Sequence, residues 1–231
     1  EDFKIENNFC FNNYENLLEC KDIDIIYIAL PNSLHHEWII KCIKKEKKIL
    51  VEKPATLNFS QMKEVQNKLL NKNFLFTEAF MYRYHPQIIK VIKLIRGKVI
   101  GKLISMESFF GMDILTKKNL FGFKKRKKLN KDNRLYNKDL GGGAILDLGC
   151  YPVSISQLIA SLIHDIDCNS IKVLNKKKEI GFTGVDLDSY VELQFDNKFK
   201  SKIGASFTKN LGKETRIIGE KGELLIENTW H

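Results

Sequence analysis

Four short stretches of this chain set acids, bases and a phenol beside residues that fix the backbone. Pro31-Asn32 ends one aliphatic run, with His35 just beyond. Glu52-Lys53-Pro54 ends a second. Arg83 lies in the "MYRYHP" stretch after a third, and Asp147 and Tyr151 follow the triplet Gly141–Gly143 in "GGGAILDLGCYP". A phenol beside an ammonium is favoured in its ionised form, so a Tyr–Lys pair suits proton transfer at an alcohol or carbonyl oxygen. A helix running through Asp147 and Tyr151 would set both on one face. Glycines ahead of that helix would let backbone N–H groups approach a ligand. All four prolines, Pro31, Pro54, Pro86 and Pro152, fall in these stretches, where a fixed φ preorganises a site.

Each feature also has a plainer reading. Glu52-Lys53 could be an exposed ion pair of little energetic consequence. His36 reads as a surface residue and Cys150 as a small buried hydrophobe. Tyr151 could pack an interface, Arg83 could pair with a surface acid, and the glycines could form an ordinary turn. What favours chemistry is position: three of the four stretches follow strand patterns, at the carboxyl ends where open parallel sheets bind ligands.

The elements that would position them alternate. "IDIIYIAL" (23–30), "KILVE" (48–52) and "FLFTEAF" (74–80) read as strands, the first as one buried on both faces. Between them, 33–47 and 58–73 have helical apolar spacing, with Ser33 and either Asn58 or Ser60 as N-caps; 13–22 reads as a short helix. Beyond them come a helix at 85–97 stopped by Gly97, a strand at 102–114, a basic polar loop at 116–139, the glycine-fed helix to 163, and strands with hairpin signals at "DNK" and "GEKGE". The expected fold is α/β: a partial Rossmann domain with a doubly wound parallel sheet over residues 1–82, then a C-terminal α+β domain over 83–231 with a large, mainly antiparallel open sheet.

Bulk properties narrow the classes. The 231 residues are 43% hydrophobic, enough for a normal core, and no apolar run is long enough to span a bilayer, so no membrane partner is expected. The net charge of +10 comes mostly from scattered lysines. The one dense block, "KKRKK" (124–128), lacks interleaved aromatics, and nucleic-acid binding is not expected. Five cysteines without a CxxC pair suggest neither a disulfide framework nor a zinc site, and a reducing cytoplasm is the expected location.

"IYIALPNSLHHEW", "KKILVEKPATLN", "FLFTEAFMYRYHPQ" and "GGGAILDLGCYPV" together resemble, in order and spacing, the Gfo/Idh/MocA oxidoreductases, and most closely their dihydrodiol dehydrogenase and D-xylose dehydrogenase branch. The resemblance implies NAD or NADP as cofactor, with the branch leaning to NADP, and a sugar-like small-molecule substrate. It also implies a homodimer or higher homo-oligomer formed through the C-terminal sheet. It assigns Lys53 as the catalytic lysine, in a Lys-Pro bond that is often cis, Tyr151 as the catalytic tyrosine and Asp147 as the acid one turn before it. It places Pro31, Asn32, His35, Glu52 and Lys53 along the nicotinamide-ribose, Arg83 beside cofactor and substrate, and Arg134 near the site. The family's GxGxxG turn and first strand, and its final strands and helix, have no counterpart here, so the chain reads as a fragment. A non-catalytic NAD(P)-sensing regulator on the same fold is the alternative.

Overall fold

The structure, a computed structural model, describes residues 5–6, 9–118 and 124–230. It divides into two compact units, Glu1–Ala79 and Phe80–His231.

The first unit is a parallel sheet in the order β1 (Ile25–Ile28), β2 (Lys48–Val51), β3 (Phe76–Glu78). Helix α2 (Asn32–Lys44) crosses from β1 to β2 and α3 (Phe59–Leu69) from β2 to β3, while α1 (Tyr14–Glu19) precedes them. Ile39, Cys42 and Ile43 of α2 meet Ile28, Ile49 and Val51 of the sheet and Val65 of α3 in one core. Asn58 is the cap of α3, its side chain accepting from Gln61 N–H, whereas α2 begins behind Pro31 with no side-chain cap, not at Ser33. β1 is buried on one face only. Ile25 and Tyr27 are 52% and 55% exposed, whereas Ile28 is buried and Ile26 half-buried against the core that α2 and α3 help form.

The second unit is a six-stranded sheet in the order β11 (Gly222–Ile226), β10 (Thr215–Gly219), β4 (Leu103–Gly111), β9 (Phe199–Ser206), β8 (Asp186–Phe195), β7 (Ile171–Ile180). Only β4 and β9 pair in parallel. The β8–β9 turn uses Asp196 and Asn197 at φ 44° and 55°, a left-handed pair these two residue types tolerate well. Helices α4 (Pro86–Arg96) and α5 (Cys150–Ala160) bury Ile88, Val91, Ile95, Ile155 and Ile159 against Met106, Phe199 and Ile217 on one face. The segment expected to be a loop at 116–139 contains paired strands β5 (Thr116–Lys118) and β6 (Lys124–Arg126) and a 3-10 turn, Arg134–Tyr136. Its lysine content hid the ribbon, since lysine is a poor strand former.

Candidate functional site

Lys53 sits on the turn that leaves β2, and its half-buried backbone is held from three sides. Glu52 N–H donates to Ile28 O (2.9 Å), extending the β1–β2 ladder by one residue. Ala55 N–H donates to Glu78 Oε1 (2.8 Å), a carboxylate at the end of β3. His35, on the first turn of α2 and fully buried, sets Nδ1 2.9 Å from Pro54 O and Nε2 2.8 Å from Leu30 O. A neutral imidazole donates to one of these carbonyls and an imidazolium to both. The Lys53–Pro54 peptide bond is cis. Glu52 accepts from the Tyr27 hydroxyl, and that bond holds the Tyr27 phenol above its usual range. Pro31 is exposed at the start of α2, with Asn32, Glu52 and Lys53 half-buried near the carboxyl ends of β1 and β2. The carboxyl ends of adjacent parallel strands are where open α/β sheets bind ligands, so these residues are placed where a cofactor could be held. No GxGxxG occurs in the 231 residues, so the sequence offers no such turn for the pyrophosphate.

In the second unit, Tyr151 is 8% exposed and its ring is boxed by aromatic neighbours. Phe80, Phe110 and Trp230 have ring centroids 5.5, 5.5 and 5.6 Å away, and Tyr82 lies at 6.2 Å. Trp230 stacks on Phe110 and donates its Nε1–H to Phe109 O (3.1 Å), which fixes the box wall. The Tyr82 hydroxyl donates to Ser154 Oγ (2.9 Å), and Arg83 donates to Ser154 O (3.3 Å). Burial pushes the Tyr82 phenol up, partly offset by the Ser154 and Arg83 contacts. Arg83, itself exposed, is thus tied to the main chain of the helix that carries Tyr151. Asp147 accepts from Arg134 (3.3 Å).

The helix does not run evenly through Asp147 and Tyr151. A π-helical turn, Ile145–Gly149, precedes α5; its wider i→i+5 winding turns each residue through a smaller angle than an α-helix does, so Asp147 and Tyr151 are offset differently from a regular helical pair. The glycine triplet also differs from expectation. Gly141, Gly142 and Gly143 donate their N–H groups to Lys138, Asn137 and Leu135 carbonyls at 3.1, 2.9 and 2.9 Å. A Cβ on Gly142 would lie 2.5 Å from Arg134 O. The glycines therefore let two stretches of backbone close on each other, and their amides serve the fold rather than a ligand.

The residues expected at the site fall into two groups: Pro31, Asn32, His35, Glu52 and Lys53 in the first unit, and Arg83, Arg134, Asp147 and Tyr151 in the second. Sequence reasoning missed the support of both. Glu78 was readable as a polar group at a strand end. Trp230 and Ser154 carry no local signal.

Two family models match this chain. That for "Oxidoreductase family, NAD-binding Rossmann fold" covers residues 1–80, and that for "GFO/IDH/MocA C-terminal domain" covers 88–225. The chain belongs to the Gfo/Idh/MocA oxidoreductase family. Among curated relatives, a trans-1,2-dihydrobenzene-1,2-diol dehydrogenase of Xenopus tropicalis is 29% identical over 94% of this chain and 59% of its own length. A dTDP-3,4-didehydro-2,6-dideoxy-alpha-D-glucose 3-reductase of Saccharopolyspora spinosa is also 29% identical, over 94% of this chain and 59% of its own length. A D-xylose 1-dehydrogenase (NADP(+)) of Haloferax volcanii is 27% identical, over 93% of this chain and 59% of its own length. The chain thus spans 59% of the length of these relatives. A 3-ketoreductase of Actinomadura kijaniata, solved with NADP and TDP-benzene, shares the fold at TM-score 0.76 and 24% identity over 95% of this chain and 62% of its own.

Proposed function

We propose that the full-length protein is an NAD(P)-dependent oxidoreductase that interconverts a hydroxyl and a carbonyl on a sugar or related cyclic alcohol. Lys53 and Tyr151 are its acid–base pair. The observation that carries this reading is the three-sided immobilisation of the Lys53 turn, with a fully buried histidine spent on Pro54 O. An exposed ion pair needs no such support. A preorganised catalytic ammonium does.

In oxidation, the phenolate of Tyr151 takes the proton of the substrate hydroxyl, and the Lys53 ammonium favours that phenolate and the developing charge. In reduction, Tyr151 returns the proton to the carbonyl oxygen. Asp147 orients the pair. Pro31, Asn32 and Glu52 shape the nicotinamide-ribose end of the cofactor site, His35 supports it from behind with both ring nitrogens on main-chain carbonyls, and Arg83 borders cofactor and substrate. The bound nicotinamide supplies the hydride acceptor or donor. NADP is the favoured form, as in the name of the Haloferax relative.

The helix-free face of the second sheet would pair with another copy. Phe109 and Tyr190 stack there at 6.5 Å, amid the ion pairs Lys202–Glu107 and Arg216–Glu223. An apolar centre with a charged rim of both signs suits a self-complementary contact. No described helix is long and apolar enough to cross a membrane.

The test is a spectrophotometric screen of aldoses and cyclic diols with NAD and with NADP, on the full-length protein and its Lys53→Met variant. Turnover that collapses in the variant while cofactor affinity persists supports the reading. Tight cofactor binding with no hydride transfer to any substrate would favour a sensor instead.

A further inference from the structure

The helix that bears Asp147 and Tyr151 starts without a cap of its own. The residue at its N-cap position is Ala144, which offers no side-chain acceptor. The acceptor comes from across the sheet. Asp186, the first residue of β8, takes Ile145 N–H on Oδ2 at 2.9 Å, and the same oxygen takes the Ser189 hydroxyl at 2.9 Å. Ser189 is 7% exposed, so this second bond fixes the carboxylate from the sheet side. The other oxygen, Oδ1, occupies the place of an absent side chain. A Cβ on Gly143 would lie 2.4 Å from it, and Gly143 has φ +120°, a conformation that L side chains rarely adopt. The third glycine of the triplet is thus the one that admits Asp186.

A carboxylate here satisfies an otherwise orphaned N–H and lies at the positive end of the helix. The consequence is positional. The π-turn Ile145–Gly149 sets the rotation of everything after it, and it is fixed at its first N–H by Asp186 and at Asp147 by Arg134. Tyr151 follows within two residues of that turn. We propose that Asp186 is a positioning residue for the acid–base site: it sets the register and rotation of the helix start, and through it the placement of Asp147 and Tyr151. This rests on the reading that Tyr151 is the proton-transferring group.

Two readouts separate the cap from the reaction. The first is backbone hydrogen exchange over residues 144–149 in Asp186→Ala and Asp186→Asn, which needs no turnover. Loss of a cap is expected to speed exchange about fivefold there in Asp186→Ala, with α4 and the central strands unchanged. Asp186→Asn keeps one acceptor oxygen and is expected to be intermediate. The second is steady-state kinetics on the full-length protein, at a temperature where all variants remain folded. A misplaced proton-transfer group is expected to lower kcat by roughly ten- to a hundredfold, with KM for the cofactor within about twofold of wild type and partial rescue by Asn. Unchanged exchange at 144–149 would overturn the cap. Faster exchange with wild-type kcat would overturn the positioning role. Lys53→Met and Tyr151→Phe run in parallel: if both keep turnover, the site reading falls, and the positioning role with it, while the exchange data still decide the cap.

Discussion

The turn around Lys53 and the ring of Tyr151 are held by different forces. The turn is fixed by directional hydrogen bonds from partners close in sequence, 19 residues away for His35–Pro54 and 23 for Ala55–Glu78. The helix start also has hydrogen-bonded partners, Arg134 and Asp186, but Tyr151 itself is held by ring packing, and the bonds that brace its surroundings reach further, 72 residues for Tyr82–Ser154 and 121 for the Trp230–Phe109 bond that anchors the box wall. Hydrogen bonds set a backbone position sharply but leave buried carbonyls stranded if one donor is lost. Ring packing spreads its support over many contacts and fails through cavities.

That contrast makes a graded set of expectations, each readable by urea denaturation unless stated. Trp230→Ala removes a wall of the Tyr151 box and is expected to destabilise the second unit most, by about 3–5 kcal/mol. The first unit should be untouched; a uniform loss across both would break the comparison. His35→Ala removes the ring that faces Leu30 O and Pro54 O, takes a donor from at least one of them and opens a small cavity, for about 2–4 kcal/mol in the first unit. Cys42, in the core of the first unit, has its thiol pushed up to about 11 by burial. Its folded-state value lies above the unfolded one, so its contribution is complete below pH 9 and is lost as pH rises toward 11. The first unit should weaken over that window by at most about 1.4 kcal/mol per pH unit. Alkylation should accordingly reach the exposed Cys10 well before Cys42. Glu78→Gln keeps an acceptor for Ala55 N–H and should cost under about 1 kcal/mol, the smallest effect of the set.

Much of the first unit was legible because each of its strands is a short β-branched or aromatic run ending in a polar turn, and because crossover helices show their apolar period within a dozen residues. Its error, a β1 buried on both faces, came from reading residue type without knowing what covers Ile25 and Tyr27. In the second unit the strands of the six-stranded sheet were readable, with turn chemistry at Asp196-Asn197 and Glu220-Lys221, whereas the β5–β6 ribbon was not. The roles of the glycines, Ser154, Asp186 and Trp230 were not, since each depends on a partner whose distance in sequence no periodicity encodes. The Lys53–Pro54 turn was found from three adjacent strand exits, yet its clamp, Glu78 and a buried His35, became visible only in three dimensions.

The function proposed above turns on Lys53 and Tyr151 working as one acid–base pair. A double-mutant cycle on kcat/KM in the full-length protein tests it most directly, using Lys53→Met, Tyr151→Phe and the double variant. Residues that act as a unit are strongly non-additive. Each single change is expected to cost on the order of 10²–10⁴ in kcat/KM, and the double variant to be little worse than the more damaging single. Losses that multiply, or a Lys53→Met enzyme that turns over normally, would contradict it.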